Sequence, residues 1–235
     1  MTVVFVHGAG CTGAVFAAQL AAFPGSLAID LPGHDAPGSA DSIEQFADAV
    51  ERELQARRVT GAIVCGSSMG GAVALELAIR RAPNVRAIAL LGSGARLRVA
   101  PQILEALERD FPAACRTLAG LFFAEPTAER VAGAVALMER VGAEQMLRDM
   151  RACDAFDATA DLPAIVLPAA AITGERDVMT PPKYAEFLAN RVPGAFARII
   201  PAAGHLAIVE RPEETNEALR AFVTMVRGDG LASPP

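Results

Sequence analysis

The chain has 235 residues, a formal net charge of −6 and a hydrophobic fraction of 52%. A chain of this length can fold as one α/β domain with a substantial core. The acidic balance disfavours nucleic acid as a partner, because no basic stripe is present to displace counterions. We expect a cytoplasmic protein with no membrane partner, since the sequence shows neither a signal peptide nor an apolar stretch long enough to span a bilayer.

Short apolar runs alternate with helical patterns along most of the chain. The clearest helical patterns cover residues 42–57 and 69–81. Alternation of this kind predicts an α/β fold, with a mostly parallel sheet flanked by helices on both faces. The apolar runs predict six strands, near residues 3–6, 27–30, 62–65, 87–91, 169–173 and 197–200.

The alternation stops between residues 96 and 161, where helical segments are separated by prolines and glycines and no strand pattern occurs. We interpret residues 96–161 as a helical cap, or lid. The cap is inserted into a core formed by residues 1–95 and 162–228. Residues 229–235 are expected to form a flexible tail.

Residues 66–70 read Gly-Ser-Ser-Met-Gly and join a strand-like run to a helical run. This G-x-S-x-G pattern at a strand–helix junction predicts a sharp turn that lifts the hydroxyl of Ser68 at the carboxyl edge of the sheet. The alternative frame on Ser67 fails, because Cys65 stands where the first glycine is needed. A glycine- and serine-rich turn without chemistry is the competing interpretation.

A serine hydroxyl needs a base that is itself oriented by a third group. His205 follows the last strand-like run, and Asp177 follows the run before it. Both residues are therefore expected at the same sheet edge as Ser68. Taken singly, Asp177 is equally well explained as a helix cap and His205 as a turn residue. Their joint placement favours a catalytic triad of Ser68, Asp177 and His205.

The motifs resemble those of α/β-hydrolase-fold serine hydrolases, in particular small esterases and enol-lactonases. The order serine, aspartate, histidine is the order of that family. Two features depart from many relatives: the chain starts directly with the strand before the first loop, and it contains no tryptophan, so that Phe16 is expected to fill the space. The resemblance covers nearly the whole chain and is carried by residues 6–10, 30–34, 66–71, 173–177, 204–205 and 210–214.

The resemblance implies an oxyanion hole built from two backbone N–H groups. One belongs to Met69, directly after the nucleophile at the start of a helix. The other comes from the loop after the first strand, where we choose Ala9, with Gly10 as the alternative. Gly8 and Gly10 allow the backbone to approach a substrate, and His7 is expected to brace this loop without transferring protons. Standing alone, the loop is equally well explained as a glycine-rich turn.

Most apolar side chains of the predicted cap are expected to pack it onto the core, and a minority to face Ser68. A methionine-rich lining indicates a permissive apolar pocket. Three cap arginines, Arg116, Arg148 and Arg151, are candidates for binding a substrate carboxylate, although solvated helix faces explain them better. The predicted pocket residues are Phe16, Phe122, Phe123, Met138, Met146, Met179 and Leu206.

The predicted reaction is hydrolysis of a small, largely apolar carboxylic ester or lactone through an acyl-enzyme, by a monomer or homodimer. No cofactor is needed, and no metal site is expected, because the four cysteines lack ligand spacing and suit reduced thiols. One alternative is a carbon–carbon bond hydrolase or lyase that acts on a dicarboxylate with the same triad. Another is a ligand-binding protein without activity, against which the intact triad argues.

Overall fold

The computed structural model describes residues 1–228, and the predicted tail, residues 229–235, lies outside the described residues. Six strands form one sheet in the order β2-β1-β3-β4-β5-β6, and every neighbouring pair is parallel. The predicted α/β class and six-stranded sheet are confirmed. The strands are β1 (Val3–Val6), β2 (Leu27–Ile29), β3 (Ala62–Ser67), β4 (Val85–Leu91), β5 (Ala169–Gly174) and β6 (Phe196–Ile200).

Helices cover both faces of this sheet, and each face has its own apolar core. Alternate residues of a strand point to opposite faces, so Val4 and Val6 enter one core while Val3 and Phe5 enter the other. Burial on both sides explains why the strands read as continuous apolar runs. The helices of the sheet layers are α1 (Ala17–Ala22), α2 (Ile43–Ala56), α3 (Met69–Ile79), α8 (Pro182–Arg191), α9 (Ala207–Glu210) and α10 (Pro212–Arg227).

Two helices show how the sequence sets their bounds. The hydroxyl of Ser42 accepts a hydrogen bond from the Gln45 N–H, which caps the start of α2. Helix α3 is buried on nearly all sides, so it has no polar stripe. β3 ends at Ser67 and α3 starts at Met69, so Ser68 is the single residue between them. Because both elements are buried in the core, their packing fixes the position of Ser68.

The segment between β4 and β5, residues 96–161, is called the insertion below. Prolines occupy the first turns of α4 and α5, where a missing N–H costs no hydrogen bond. None of the helices within residues 1–228 is long and apolar enough to cross a membrane. The helices of the insertion are α4 (Pro101–Arg109), α5 (Phe111–Leu121), α6 (Ala128–Val141) and α7 (Ala143–Ala155).

Candidate active site

Ser68 occupies a strained turn between β3 and α3. Its φ of 52° and ψ of −115° lie in a region that residues with a side chain rarely adopt. Two contacts, one with the last residue of β4 and one with the turn that follows it, hold Ser68 in place. The Ser68 N–H donates to the Leu91 carbonyl at 2.9 Å, and the Ser93 hydroxyl donates to the Ser68 carbonyl at 2.8 Å. The motif did not reveal the role of Ser93.

The glycines on either side of this turn are required by close backbone packing. A Cβ on Gly66 would collide with the carbonyl of Gly70, and a Cβ on Gly70 would collide with the carbonyl of Val6. Backbone atoms cannot move aside as a flexible side chain can. The G-x-S-x-G spacing therefore follows from the tight approach of β1, β3 and α3.

Asp177 and His205 form a buried pair after β5 and β6. The His205 Nδ1 donates to the Asp177 Oδ2 at 2.9 Å. The other carboxylate oxygen, Oδ1, accepts from the N–H groups of Met179 and Thr180 at 2.9 and 2.8 Å. Burial alone raises the pKa of Asp177, but the charge of His205 and the hydrogen bonds from His205 and Thr180 outweigh it and hold that pKa below its usual value. Asp177 is thus a carboxylate that keeps the proton of His205 on Nδ1.

Ser68 and His205 line the same cavity, which has a volume of about 70 Å³. The hydrogen bonds found among residues 1–228 do not include one between the Ser68 hydroxyl and His205. Catalytic contacts of this kind are often long until substrate is bound. The cavity is also lined by Ala9, Leu97, Arg98, Val99, Met150, Cys153, Met179, Thr180 and Tyr184.

Cys153 brings a second nucleophilic side chain to this cavity. Burial raises the pKa of its thiol, with smaller contributions from Asp149 and Asp154. A thiol that stays protonated is a weak nucleophile, because the thiolate is the reactive form. Ser68 is therefore the better candidate. Within residues 1–228 all four cysteines are buried and free of disulfides.

The loop after β1 runs alongside Ser68. A Cβ on Gly8 would lie 3.0 Å from the Cβ of Ser68, and Ala9 lines the cavity. The Gly10 N–H donates to the Asp149 Oδ2 at 3.0 Å, whereas the Ala9 N–H has no hydrogen-bond acceptor among residues 1–228. Of the two N–H groups considered from the sequence, only that of Ala9 is not already engaged in the described part of the chain.

Comparisons with known proteins agree with this geometry. Residues 3–218 match the alpha/beta hydrolase family. The chain belongs to that family. A pimeloyl-[acyl-carrier protein] methyl ester esterase of Neisseria meningitidis serogroup A is 30% identical over 94% of this chain and 76% of the relative. The enzyme of the same name from Chromobacterium violaceum is 31% identical over 92% of each chain.

Solved structures show the same relationship. A thermophilic esterase superposes with a TM-score of 0.88 at 34% identity, covering 95% of this chain and 90% of that one. The enol-lactonase from Burkholderia xenovorans superposes with a TM-score of 0.87 at 25% identity, covering 95% and 91%. The predicted resemblance to α/β-hydrolase esterases and enol-lactonases is confirmed.

His7 has no free nitrogen in this hydrolase. Its Nε2 accepts from the Leu31 N–H at 3.0 Å, and its Nδ1 donates to the Gly8 carbonyl at 2.9 Å. Burial, followed by the charge of His34, lowers the pKa of His7 to about 4. His7 is therefore neutral at neutral pH and holds the loop after β1 to the loop after β2.

Of the predicted pocket residues, Met179 lines the cavity beside Ser68. The other six do not line it. The Phe122 ring lies 6.0 Å from the His205 ring, and the Phe122 carbonyl accepts from the Leu206 N–H at 2.9 Å. The ring of Phe123 packs edge-on against that of Phe122. Met138 and Met146 pack against Gly10.

Phe16 lies in the core and not in the cavity. It is fully buried, and its ring stacks on Phe5 at 5.0 Å. The stretch that sequence reasoning missed as cavity lining is residues 97–99, at the start of the insertion. Its place in the segment that follows the carboxyl end of a central strand, β4, is the signal that identifies it, because ligands of open parallel sheets bind at that edge.

The insertion arginines considered from the sequence lie on solvated faces. Arg148 pairs with Glu144 at 2.6 Å and Arg151 pairs with Glu108 at 2.7 Å, both outside the cavity, and Arg116 is exposed. Among residues 1–228 the cation that lines the cavity is Arg98, which pairs with Asp154 at 3.7 Å.

Glu210 ties the loop that carries His205 to the insertion. This buried carboxylate accepts from the Gly204 N–H at 2.7 Å and from the Ala124 and Glu125 N–H groups at 2.9 and 2.8 Å. Arg130 pairs with it at 3.3 Å. The placement of His205 therefore depends on contacts between the core and the insertion.

Proposed function

We propose that this protein is a serine hydrolase that cleaves a small, largely apolar carboxylic ester or lactone through an acyl-enzyme on Ser68. The observation that carries the proposal is the shared cavity. Ser68 and His205 line the same space, and the Nδ1 of His205 is hydrogen-bonded to Asp177. The names of the relatives, methyl ester esterases and an enol-lactonase, support ester and lactone chemistry.

Acylation begins with proton transfer from the Ser68 hydroxyl to Nε2 of His205. The hydroxyl oxygen attacks the substrate carbonyl as it loses this proton. Asp177 keeps the opposite nitrogen, Nδ1, protonated and stabilises the imidazolium that forms. The depressed pKa of Asp177 suits this role, because the residue remains a carboxylate while His205 becomes positive.

The tetrahedral intermediate places a negative charge on the former carbonyl oxygen. The unengaged Ala9 N–H and the Met69 N–H at the start of α3 are the donors that face it, and the dipole of α3 adds to their effect. His205 then protonates the leaving alcohol. A water molecule, deprotonated by the same histidine, releases the acid from Ser68.

The cavity limits the group that is bound next to Ser68. A volume of about 70 Å³, lined by Leu97, Val99, Met150 and Met179, suits a small apolar group such as a short alkoxy or acyl chain. The insertion acts as a cap in this proposal, because it supplies part of the lining. Arg98 and Tyr184 also line a neighbouring cleft of about 520 Å³, into which the rest of a longer substrate extends.

The carbon–carbon bond hydrolase or lyase is less well supported. A dicarboxylate needs a cation that is free to bind it. Arg98 is paired with Asp154, and Arg96, at the neighbouring cleft, is paired with Asp157 at 3.4 Å. The remaining cation of the neighbouring cleft is Lys183, which has no carboxylate partner among residues 1–228 but does not line the cavity beside Ser68, so one free cation is available where a dicarboxylate would use two.

Hydrolysis of p-nitrophenyl acetate, butyrate and octanoate tests the proposal and grades acyl length. We expect the wild type to turn over the shorter esters faster and Ser68→Ala to lose turnover by several orders of magnitude. A fluorophosphonate probe separates the alternatives: labelling that disappears in Ser68→Ala supports a hydrolase. A folded wild type that neither hydrolyses these esters nor reacts with the probe would point to a ligand-binding protein.

A further inference from the structure

Asp149, on α7 of the insertion, is a buried carboxylate that the mechanism above does not use. Its Oδ2 accepts from the Gly10 N–H at 3.0 Å and from the His34 Nε2 at 2.9 Å. Its Oδ1 accepts from the Gln145 side-chain amide at 2.9 Å. The side chains of Asp149 and His34 are completely buried. A buried charge of this kind is costly unless it is paired and hydrogen-bonded, and here it is both.

The positive partner in this cluster is His34. Its Nε2 faces the Asp149 carboxylate and its Nδ1 lies 3.1 Å from the Pro32 carbonyl, so both nitrogens face acceptors. Burial lowers the pKa of His34, but the hydrogen bond and charge of Asp149 outweigh burial and raise it. An imidazolium satisfies both contacts. The negative charge of Asp149 is thus neutralised. This matters because Asp149 contacts Gly10, the residue next to the proposed oxyanion donor Ala9.

The loop that Asp149 contacts is confined on its other sides as well. Gly10 has a φ of +63°, and a Cβ there would lie 2.6 Å from the Met146 Sδ and 2.9 Å from the Met138 Cγ. On the side of the nucleophile, Gly8 packs against Ser68. The Gly10 N–H is turned toward Asp149, and this fixes the peptide that follows Ala9. The Ala9 N–H belongs to the preceding peptide, whose carbonyl, that of Gly8, accepts from the His7 Nδ1 at 2.9 Å and from the Cys11 N–H at 3.2 Å. With the peptides on both sides of Ala9 held, rotation of the Ala9 N–H away from the cavity is restricted.

We propose that Asp149 is a positioning residue of the reaction, which holds the Gly10 N–H and so directs the Ala9 N–H toward the oxyanion. This inference rests on the proposed function, since it assumes that Ala9 is an oxyanion donor. The insertion thereby sets the geometry of the oxyanion hole in addition to lining the cavity. A displacement of about 1 Å at such a donor is enough to lower turnover on the order of 10²-fold.

The test compares Asp149→Ala with Gln145→Met. Asp149→Ala removes three buried hydrogen bonds of this cluster and Gln145→Met removes two, but only Asp149→Ala removes the acceptor of the Gly10 N–H. Gln145 contacts Asp149 and the Ala40 carbonyl, and its replacement leaves the Gly10 and His34 contacts in place. The measurements are kcat/KM for a p-nitrophenyl ester, Ki for a trifluoromethyl ketone and Ki for the ether analogue of the ester. The ketone forms an oxyanion on Ser68, and the ether does not.

For Asp149→Ala we expect kcat/KM to fall roughly 10- to 100-fold and Ki of the ketone to rise by a similar factor, while Ki of the ether changes less than about threefold. Gln145→Met is expected to lose stability and to keep all three constants within about threefold of wild type. The proposal is overturned if Asp149→Ala keeps wild-type kcat/KM. It is also overturned if the ketone and the ether weaken equally, or if Gln145→Met behaves like Asp149→Ala.

If Asp149→Ala does not fold, Asp149→Glu replaces it. The glutamate keeps a negative charge for His34 but moves the acceptor by one methylene group, so the same pattern of constants is expected. Wild-type behaviour of Asp149→Glu overturns the proposal. Failure of the proposed function is distinguishable, because the wild type itself would then show no Ser68-dependent hydrolysis.

Discussion

Residues 1–228 contain two buried histidine–aspartate pairs with the same contact distance and different roles. His205 and Asp177 are joined at 2.9 Å at the carboxyl edge of the sheet, and His34 and Asp149 are joined at 2.9 Å between the core and the insertion. The difference lies in the second nitrogen of each ring. His205 lines the cavity beside Ser68, whereas the Nδ1 of His34 faces the Pro32 carbonyl.

The comparison shows that a short histidine–aspartate contact does not by itself identify a general base. A base must accept a proton from a reacting group and release it again, which requires one nitrogen that is free to face the substrate. His205 meets this condition. His34 holds its proton between two acceptors and contributes to structure, and the carboxylate of each pair also organises nearby N–H groups.

The largest expected difference is in turnover after loss of each histidine. His205→Gln is expected to lower kcat/KM on the order of 10⁴- to 10⁶-fold, because His205 is the histidine that lines the cavity of Ser68. His34→Gln is expected to lower it roughly tenfold or less. Steady-state hydrolysis of a p-nitrophenyl ester measures both. Equal losses in two folded variants would contradict the assignment of His205 as the base.

Replacement of each aspartate by asparagine sharpens the comparison. Asp177→Asn is expected to lower kcat/KM on the order of 10⁴-fold, because an amide favours the wrong tautomer of His205. Asp149→Asn retains an oxygen that can accept from the Gly10 N–H, so a loss of roughly tenfold or less is expected. The reverse order in the same hydrolysis assay would show that the two carboxylates have been assigned the wrong roles.

The loss of unfolding free energy is expected to be larger for His34→Gln than for His205→Gln, which is the opposite order to the loss of turnover. His34→Gln leaves the Asp149 charge buried without its cation, and the loss of one partner of a buried pair costs about 3–5 kcal/mol of unfolding free energy. His205→Gln leaves Asp177 with the N–H groups of Met179 and Thr180 and the Thr180 hydroxyl, so a smaller loss is expected. Urea unfolding of both variants measures this. A less stable His205→Gln would contradict the structural role of the His34 pair.

His7 offers a third case, a buried histidine whose two ring nitrogens contact backbone groups, the Gly8 carbonyl and the Leu31 N–H. Its pKa is lowered from 6.5 to about 4, so between these pH values the unfolded chain binds a proton that the folded chain does not. Stability therefore falls as the pH falls through this window, by about 1.4 kcal/mol per pH unit from this residue. The pKa of His34 is raised in the folded chain, so its effect on stability has the opposite pH dependence. The stability that His34 contributes is lost as the pH rises.

The variant His7→Asn isolates this effect. Urea unfolding between pH 6.5 and pH 4 is expected to show a weaker pH dependence in His7→Asn than in the wild type. Identical slopes in the two proteins would show that His7 binds a proton equally well in the folded and unfolded states.

Local patterns were sufficient to predict the sheet, the turn at Ser68 and the likeness to α/β hydrolases. Strand and helix periodicity depends on residues that are close in the sequence. The G-x-S-x-G spacing is likewise local, because its glycines are needed where the backbone packs closely around the turn. The pair of His34 and Asp149 joins residues 115 positions apart, and no local pattern reports such a contact. The role of Glu210 was not predicted for the same reason. Its contacts with residues 124 and 125 depend on how the insertion packs against the core.

The cavity lining was the least predictable part. Helical periodicity shows which face of an insertion helix is apolar, but it does not show whether that face meets the core or the nucleophile. Met138 and Met146 pack against Gly10, while Met150, one turn beyond Met146, reaches the cavity. The orientation of α7 decides between these outcomes, and that orientation is set by tertiary contacts.

The account depends most on a covalent acyl group on Ser68. Rapid quenching of the wild type during turnover of a p-nitrophenyl ester, followed by peptide mass mapping, measures it directly. We predict that the mass of the acyl group is found on the peptide that contains Ser68 and is absent in Ser68→Ala. An acyl group on Cys153, or turnover without any acylated peptide, would contradict the account.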